Sequence, residues 1–132
     1  MARLGALVAR SWNAFLAGYE LTQGQYGVLV TLKEQGLLGQ RHLADLVAVD
    51  ARNIVAVLDS LEAKGLVERQ AHGADGRRRI VALTDKGSAL IETVGAMAAA
   101  HEDDFLHALT DRERERLNAL LQRIYDSHLP GV

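Results

Sequence analysis

From Leu4 the apolar residues recur at Leu7, Val8, Trp12, Phe15, Leu16 and Tyr19, with small and polar residues between them. Steps of three and four place these side chains on one stripe, so the spacing predicts a first helix. Leu21-Thr22-Gln23-Gly24-Gln25-Tyr26 then has the form of a capping box. The Thr22 hydroxyl can accept from a free backbone N–H, Gln25 can reach back, and Leu21 and Tyr26 can form the flanking apolar staple. A second helix is expected from about Gln23 to Glu34. Gly36 and Gly39 punctuate its end, and Arg41 to Val47 reads as a short helix with Leu43, Leu46 and Val47 on its inner side. Residues 48–51 read as a turn. Asp50 is placed to cap a further helix that runs to Lys64 with Ile54, Val57, Leu58 and Leu61 inward, and Gly65 is a natural stop. Two helices across such a turn make a helix-turn-helix.

After Gly65 the period changes from helical to alternating. Leu66-Val67-Glu68-Arg69 and Arg79-Ile80-Val81-Ala82-Leu83 read as two strands, and the glycine-bearing stretch between them can form a hairpin tip. Thr84 is expected to cap a helix from Asp85 to about Leu109, with Leu90, Ile91, Val94, Met97 and Ala98 on its apolar side. A last capping box, Thr110-Asp111-Arg112-Glu113, opens a helix carrying Leu117, Leu120, Leu121 and Ile124. The fold class is therefore mainly α with a small antiparallel β wing.

Composition narrows the class of activity. A chain of 132 residues, 48% of them hydrophobic, can supply one core without metal or disulfide, and its one proline, Pro130, marks no internal boundary. A single domain over residues 1–132 is expected. The absence of cysteine excludes disulfides, thiolate zinc sites and thiol redox chemistry. No apolar run approaches the ~20 residues that span a bilayer, so a soluble, cytoplasmic protein with no membrane association is expected. The sequence holds no GxSxG, P-loop, HExxH or dinucleotide fingerprint. The expectation is a protein that is not an enzyme and needs no cofactor.

The formal net charge of −2 hides an uneven distribution. Residues 40–86 carry eight basic and seven acidic side chains, whereas residues 87–132 carry four and eight. Three consecutive arginines, Arg77, Arg78 and Arg79, follow Asp75-Gly76 at the hairpin. The middle of the chain can therefore present a local basic surface for a polyanion.

Several motifs, in order, resemble the winged-helix regulators of the multiple-antibiotic-resistance (MarR) family. Leu21-Thr22 with Gln25 and Leu29 resembles the family's LTxxQxxxL opening, and Leu43-Ala44 resembles the helix before the turn. Leu61-Glu62-Ala63-Lys64-Gly65-Leu66-Val67-Glu68-Arg69 resembles the LExKGLVER end of the recognition helix. Asp75-Gly76-Arg77, followed by Val81-Ala82-Leu83-Thr84-Asp85-Lys86-Gly87, resembles the wing's DxR…VxLTxKG.

The resemblance implies a winged helix-turn-helix lobe over residues 22–87, flanked by dimerisation helices at 1–21 and 88–132. It implies a homodimer on double-stranded DNA, acting as a repressor of pseudo-palindromic operators, with the second helix of the helix-turn-helix in the major groove. That places Asp50, Ala51, Arg52, Asn53, Val55 and Ala56 at the DNA, with Arg41 from the preceding helix. Arg52 can pair with guanine or phosphate, Asn53 can read adenine or hold backbone, and Val55 can meet a thymine methyl. Arg77 falls where the family inserts an arginine into the minor groove, Asp75 orients it, and Arg78 and Arg79 divide phosphate contact and bracing between them. Many members carry basic residues where this chain has Ala56 and Ser60, which implies fewer phosphate contacts from the helix.

Family members are commonly relieved by small aromatic or anionic effectors. Trp12, Phe15, Tyr19 and Tyr26, with Arg10 or His42 as a polar partner, are the candidate lining, although aromatics at helical spacing also serve as plain core. His101, Glu102, Asp103, Asp104 and His107 have spacings compatible with a metal, but such runs are commonly a solvated helix face, so no metal site is assigned. A protein-interaction module and a metal-responsive regulator are the alternative readings.

Overall fold

The structure, a computed structural model, describes residues 1–47, 51–73 and 78–129. Met1–Ala96 form one compact unit, and the chain from Met97 onward forms a second. The first holds α1 (Ala2–Ala17), α2 (Gln23–Gln35), β1 (Leu38–Gly39), α3 (Gln40–Leu46), α4 (Ala51–Ala63), β2 (Val67–His72) and β3 (Arg78–Leu83). α5 (Asp85–Phe105) begins in the first unit and ends in the second, which also contains α6 (Asp111–Ser127).

Helix ends follow from local chemistry. The Glu20 N–H donates to the Ala17 carbonyl and the Leu21 N–H to the Leu16 carbonyl, closing the chain beyond α1 as a Schellman motif. Glu20 occupies the left-handed position of this motif with φ 58°, where glycine is usual. Leu16 and Leu21 are both buried, which supplies the apolar contact that accompanies such a turn. The Thr22 capping box forms as its sequence predicts: the Gln25 N–H donates to Thr22 Oγ1 at 3.1 Å and the Thr22 N–H to Gln25 Oε1 at 3.0 Å.

The sheet is antiparallel in the order β1-β3-β2. β2 and β3 pair from Val67↔Leu83 to His72↔Arg78, so both wing strands extend further toward the tip than the sequence pattern indicates. β1, which the pattern did not anticipate, pairs Leu38 with Val81 and Gly39 with Ile80. A two-residue strand is too short to show any periodicity.

The core of the first unit joins Leu16, Val28, Leu29, Leu43, Ile54, Leu58, Leu61, Val67, Val81 and Val94, each fully buried. Burial of side chains this size contributes roughly 1.5–3 kcal/mol apiece before chain entropy is subtracted. The predicted inner face of α4 lies here, with Val57 half-buried at its edge. Leu46 does not: it ends α3 and is exposed, because Leu43 and Ala44, a turn earlier, make the core contacts. Met97, expected on the apolar side of α5, is exposed as well.

At the start of α5, Thr84 Oγ1 accepts from the Gly87 N–H at 3.0 Å and donates to the Gly65 carbonyl at 2.7 Å. One hydroxyl therefore caps α5 and ties it to the left-handed turn at Gly65, φ 75°. Gly87 is packed so closely that an added Cβ would lie 2.2 Å from the Leu66 carbonyl oxygen. At its other end α5 stops at Phe105, short of Leu109, where the chain tightens into turns closed by Leu109 N–H to the Leu106 carbonyl.

In the second unit, Thr110 and Glu113 form the expected capping box of α6. Hydrogen bonds from the backbone and side chain of Thr110 hold the Glu113 carboxyl below the usual carboxylate range. Arg114 grips the end of α5, with Nη1 donating to Asp103 Oδ1 at 2.7 Å and Nη2 to the Asp103 carbonyl at 3.0 Å. α6 buries none of its residues, and Leu120, Leu121, Ile124 and Tyr125 stand exposed along it.

Candidate nucleic-acid interface

α3 and α4 form the helix-turn-helix, held by Leu43 and Ala44 on one side and Ile54, Leu58 and Leu61 on the other. With that inner face buried, the opposite face of α4 presents Asn53, Val55 and Ala56 to solvent. Arg41 and His42 are exposed on the first turn of α3. Ala51 and Arg52 open α4, but their side chains lie outside the described residues, as does Asp50 altogether.

Beside α4 stands the wing. Arg69 on β2 anchors it: Nη2 donates to Asp59 Oδ1 at 2.5 Å and to Glu62 Oε1 at 3.0 Å, while the Arg69 N–H donates to Glu62 Oε2 at 3.2 Å. The Arg69 side-chain hydrogen bond, reinforced by its backbone N–H, holds the Glu62 carboxyl below the usual range. Arg79 is exposed and pairs with Ala71, on the strand face shared by Val81 and Arg69, and its charge also favours ionised Glu62. Asp75 and Arg77 lie outside the described residues, and Arg78 contributes its backbone to β3 while its side chain lies outside them.

A helix-turn-helix with a paired hairpin beside its second helix has close counterparts among known proteins. The MarR family model matches residues 21–78. A relative named as the transcriptional regulatory protein for the hcr operon of Thauera aromatica is 35% identical over 113 residues, covering 84% of this chain and 68% of that protein. The chain belongs to the MarR family. Wild-type MarR of E. coli, in its apo form, superposes with a TM-score of 0.81 at 27% identity, over 94% of this chain and 95% of that one. PcaV of Streptomyces coelicolor, solved in complex with its natural ligand, gives 0.75 at 30% identity, over 97% and 90%. The protein is thus a MarR-family transcriptional regulator with a DNA-binding winged helix, and not an enzyme.

Within this MarR fold the four aromatic candidates come together. Trp12 stacks on Phe15 with centroids 5.4 Å apart and meets Tyr26 edge-on at 5.3 Å, and Phe15 meets Tyr19 at 5.5 Å. All four are partly buried against the core, and burial pushes the Tyr26 hydroxyl pKa up. Arg10 and His42 are exposed, on α1 and α3. Among the described residues no three histidine or acidic side chains converge as metal ligands. Asp103 is engaged by Arg114, and His107 Nδ1 lies 2.9 Å from the Asp104 carbonyl oxygen.

Three polar residues of the lobe escaped sequence reasoning. Ser60 is half-buried and accepts from Gln25 Nε2 at 2.9 Å, so its side chain is engaged with the N-terminus of α2. Lys64 and Arg69 both fall within the motif that marks the family, but spacing along the chain does not reveal their partners at residues 20, 25, 59 and 62.

Proposed function

We propose that this MarR-family regulator is a cytoplasmic homodimer that represses transcription from pseudo-palindromic operators. In this reading residues 22–87 are the DNA-binding lobe, and 1–21 and 88–132 supply dimerisation helices within one MarR-like domain. The observation that carries the DNA geometry is the division of α4, whose Ile54, Leu58 and Leu61 are fully buried while Asn53, Val55 and Ala56 face solvent. A helix of that kind can enter a major groove without opening its core. Arg52 then pairs with guanine or phosphate, Asn53 reads adenine or backbone, Val55 meets a thymine methyl, and Arg41 adds a phosphate contact.

At the wing, Arg77 enters the minor groove and Asp75 orients it. Arg79 is the bracing arginine, a role supported by its place on the Arg69 face of the sheet and its influence on Glu62. Arg78 takes the phosphate. Dimerisation is supported by exposed apolar stripes in both units: Leu4, Leu7 and Val8 on α1, and Leu120, Leu121, Ile124 and Tyr125 on α6. A second copy of the chain would cover them. The Trp12, Phe15, Tyr19 and Tyr26 cluster is the proposed effector contact, a reading supported by the ligand held by the similar PcaV.

The test is a titration of duplex DNA at several salt concentrations. Arg77→Ala should weaken binding about tenfold near 0.1 M salt and reduce the slope of log K against log salt by about 1 if its contact includes phosphate. Parental affinity at moderate salt would sink the wing assignment.

A further inference from the structure

The DNA-facing end of α4 is the reading end, yet its polar tethers gather at the opposite end. Lys64, just past the last turn of α4, donates from Nζ to the Glu20 carbonyl and to Gln25 Oε1, the latter at 3.3 Å. Gln25 in turn donates from Nε2 to Ser60 Oγ at 2.9 Å. Ser60 and Lys64 are four residues apart and share a helix face, so both reach the α1–α2 corner. On its other side the Lys64 carbonyl accepts from Lys86 Nζ at 2.8 Å, tying it to the first turn of α5. The corner itself is a costly piece of backbone, because Glu20 holds a left-handed conformation without being glycine.

From these contacts we infer that Lys64 is a positioning residue for DNA specificity: it fixes the tilt of the recognition helix against the α1–α2 corner without touching DNA. The inference rests on the proposed DNA geometry. Thirteen residues make α4 about 20 Å long, so a tilt of about 5° about its C-terminal end moves the reading end by about 2 Å. A base-edge hydrogen bond does not survive a displacement of that size. Attraction to phosphate does, because it decays over a screening length of about 10 Å. Loss of the Lys64 tether should therefore reduce discrimination between sequences and leave non-specific binding in place.

The test uses the full chain. Duplexes enriched by the parent from a random-sequence library are compared with random duplex for the parent and for Lys64→Met, with circular dichroism to verify folding. The expected result is an enriched-to-random affinity ratio about tenfold lower in Lys64→Met, the scale of one mismatched base pair, with random-duplex affinity and salt slope unchanged. A parental ratio overturns the inference, as does a proportional fall in both affinities, which would mark a merely structural lysine. Should Lys64→Met not fold, Lys64→Gln decides by the same ratio, since its shorter neutral amide cannot reach both acceptors. A parent that enriches no sequence overturns the DNA reading and the inference together, whereas enrichment with an unaltered ratio in the variants overturns the inference alone.

Discussion

Replacing Gly87 by alanine is the smallest change that should disrupt the joint between the wing and α5. The new Cβ would lie 2.2 Å from the Leu66 carbonyl oxygen and 2.8 Å from Leu83 Cδ1. The leucine tip can swing aside, but the carbonyl cannot move without disturbing the bond it accepts from the Thr84 N–H at 3.1 Å. Overpacking of this kind costs about 1–3 kcal/mol. Disturbing that bond and the adjacent cap, Gly87 N–H to Thr84 Oγ1, adds about 1 kcal/mol each. Alanine's better helix propensity returns about 1 kcal/mol. The net expectation is destabilisation by about 2–4 kcal/mol, or a urea midpoint lower by about 1–2 M. Protein concentration must be held constant, since the proposed dimerisation would contribute to apparent stability. Gly27→Ala is the control: an added Cβ in the middle of α2 meets nothing within 4 Å, so stability should rise by about 0.5–1 kcal/mol. A Gly87→Ala midpoint equal to or above the parent's would refute the argument.

Glu20→Gly should raise stability by about 1 kcal/mol, because it relieves the left-handed backbone at φ 58° and preserves the carbonyl that Lys64 uses; a lower melting temperature would contradict this. Acid sensitivity should depend on Glu62. Its carboxyl is held below the usual range, foremost by the Arg69 side-chain hydrogen bond, so folding favours the ionised form. That stabilisation is fully present above the ordinary carboxylate value of about 4.3 and is lost as pH falls through the lower folded value. Melting curves between pH 5 and pH 3 should therefore fall more steeply for the parent than for Glu62→Gln, and parallel curves would remove Glu62 from the account.

Much of this was legible in the chain because it depends on local spacing. The stripes of α1 and α4, the Thr22 and Thr110 capping boxes and the alternation of β2 and β3 each state their geometry within a few residues. The buried Leu43, Ile54, Leu58 and Leu61 follow from the same period. What escaped depends on separation or on length. β1 acquires its meaning only from Ile80 and Val81, some forty residues later. Leu46 is spaced like an inner residue, and only the end of α3 leaves it exposed. The Lys64 tether joins residues forty-four apart, and no local pattern marks a lysine that donates to a backbone carbonyl.

Ala56 and Ser60, the two positions at which the family resemblance implies a basic residue, therefore carry different meanings. Ala56 is exposed on the outer face of α4 beside Val55 and Asn53, so a cation there would stand on the proposed DNA side. Ser60 is half-buried, and its hydroxyl accepts from Gln25, whose carbonyl oxygen also receives Lys64. A long basic side chain at residue 60 would abandon that bond and leave the Gln25 NH2 group to find another acceptor. The serine is thus part of the set that holds α4, and in the proposed DNA geometry only Ala56 represents phosphate contact forgone. In the proposed geometry the charge missing from the helix is one residue, which the phosphate contact proposed for Arg78 at the neighbouring wing would replace. In the proposed DNA geometry, reading and holding are separated along the same helix: Asn53, Val55 and Ala56 face solvent on the proposed DNA side, whereas Ser60 and Lys64 fasten the other end to the α1–α2 corner and to α5.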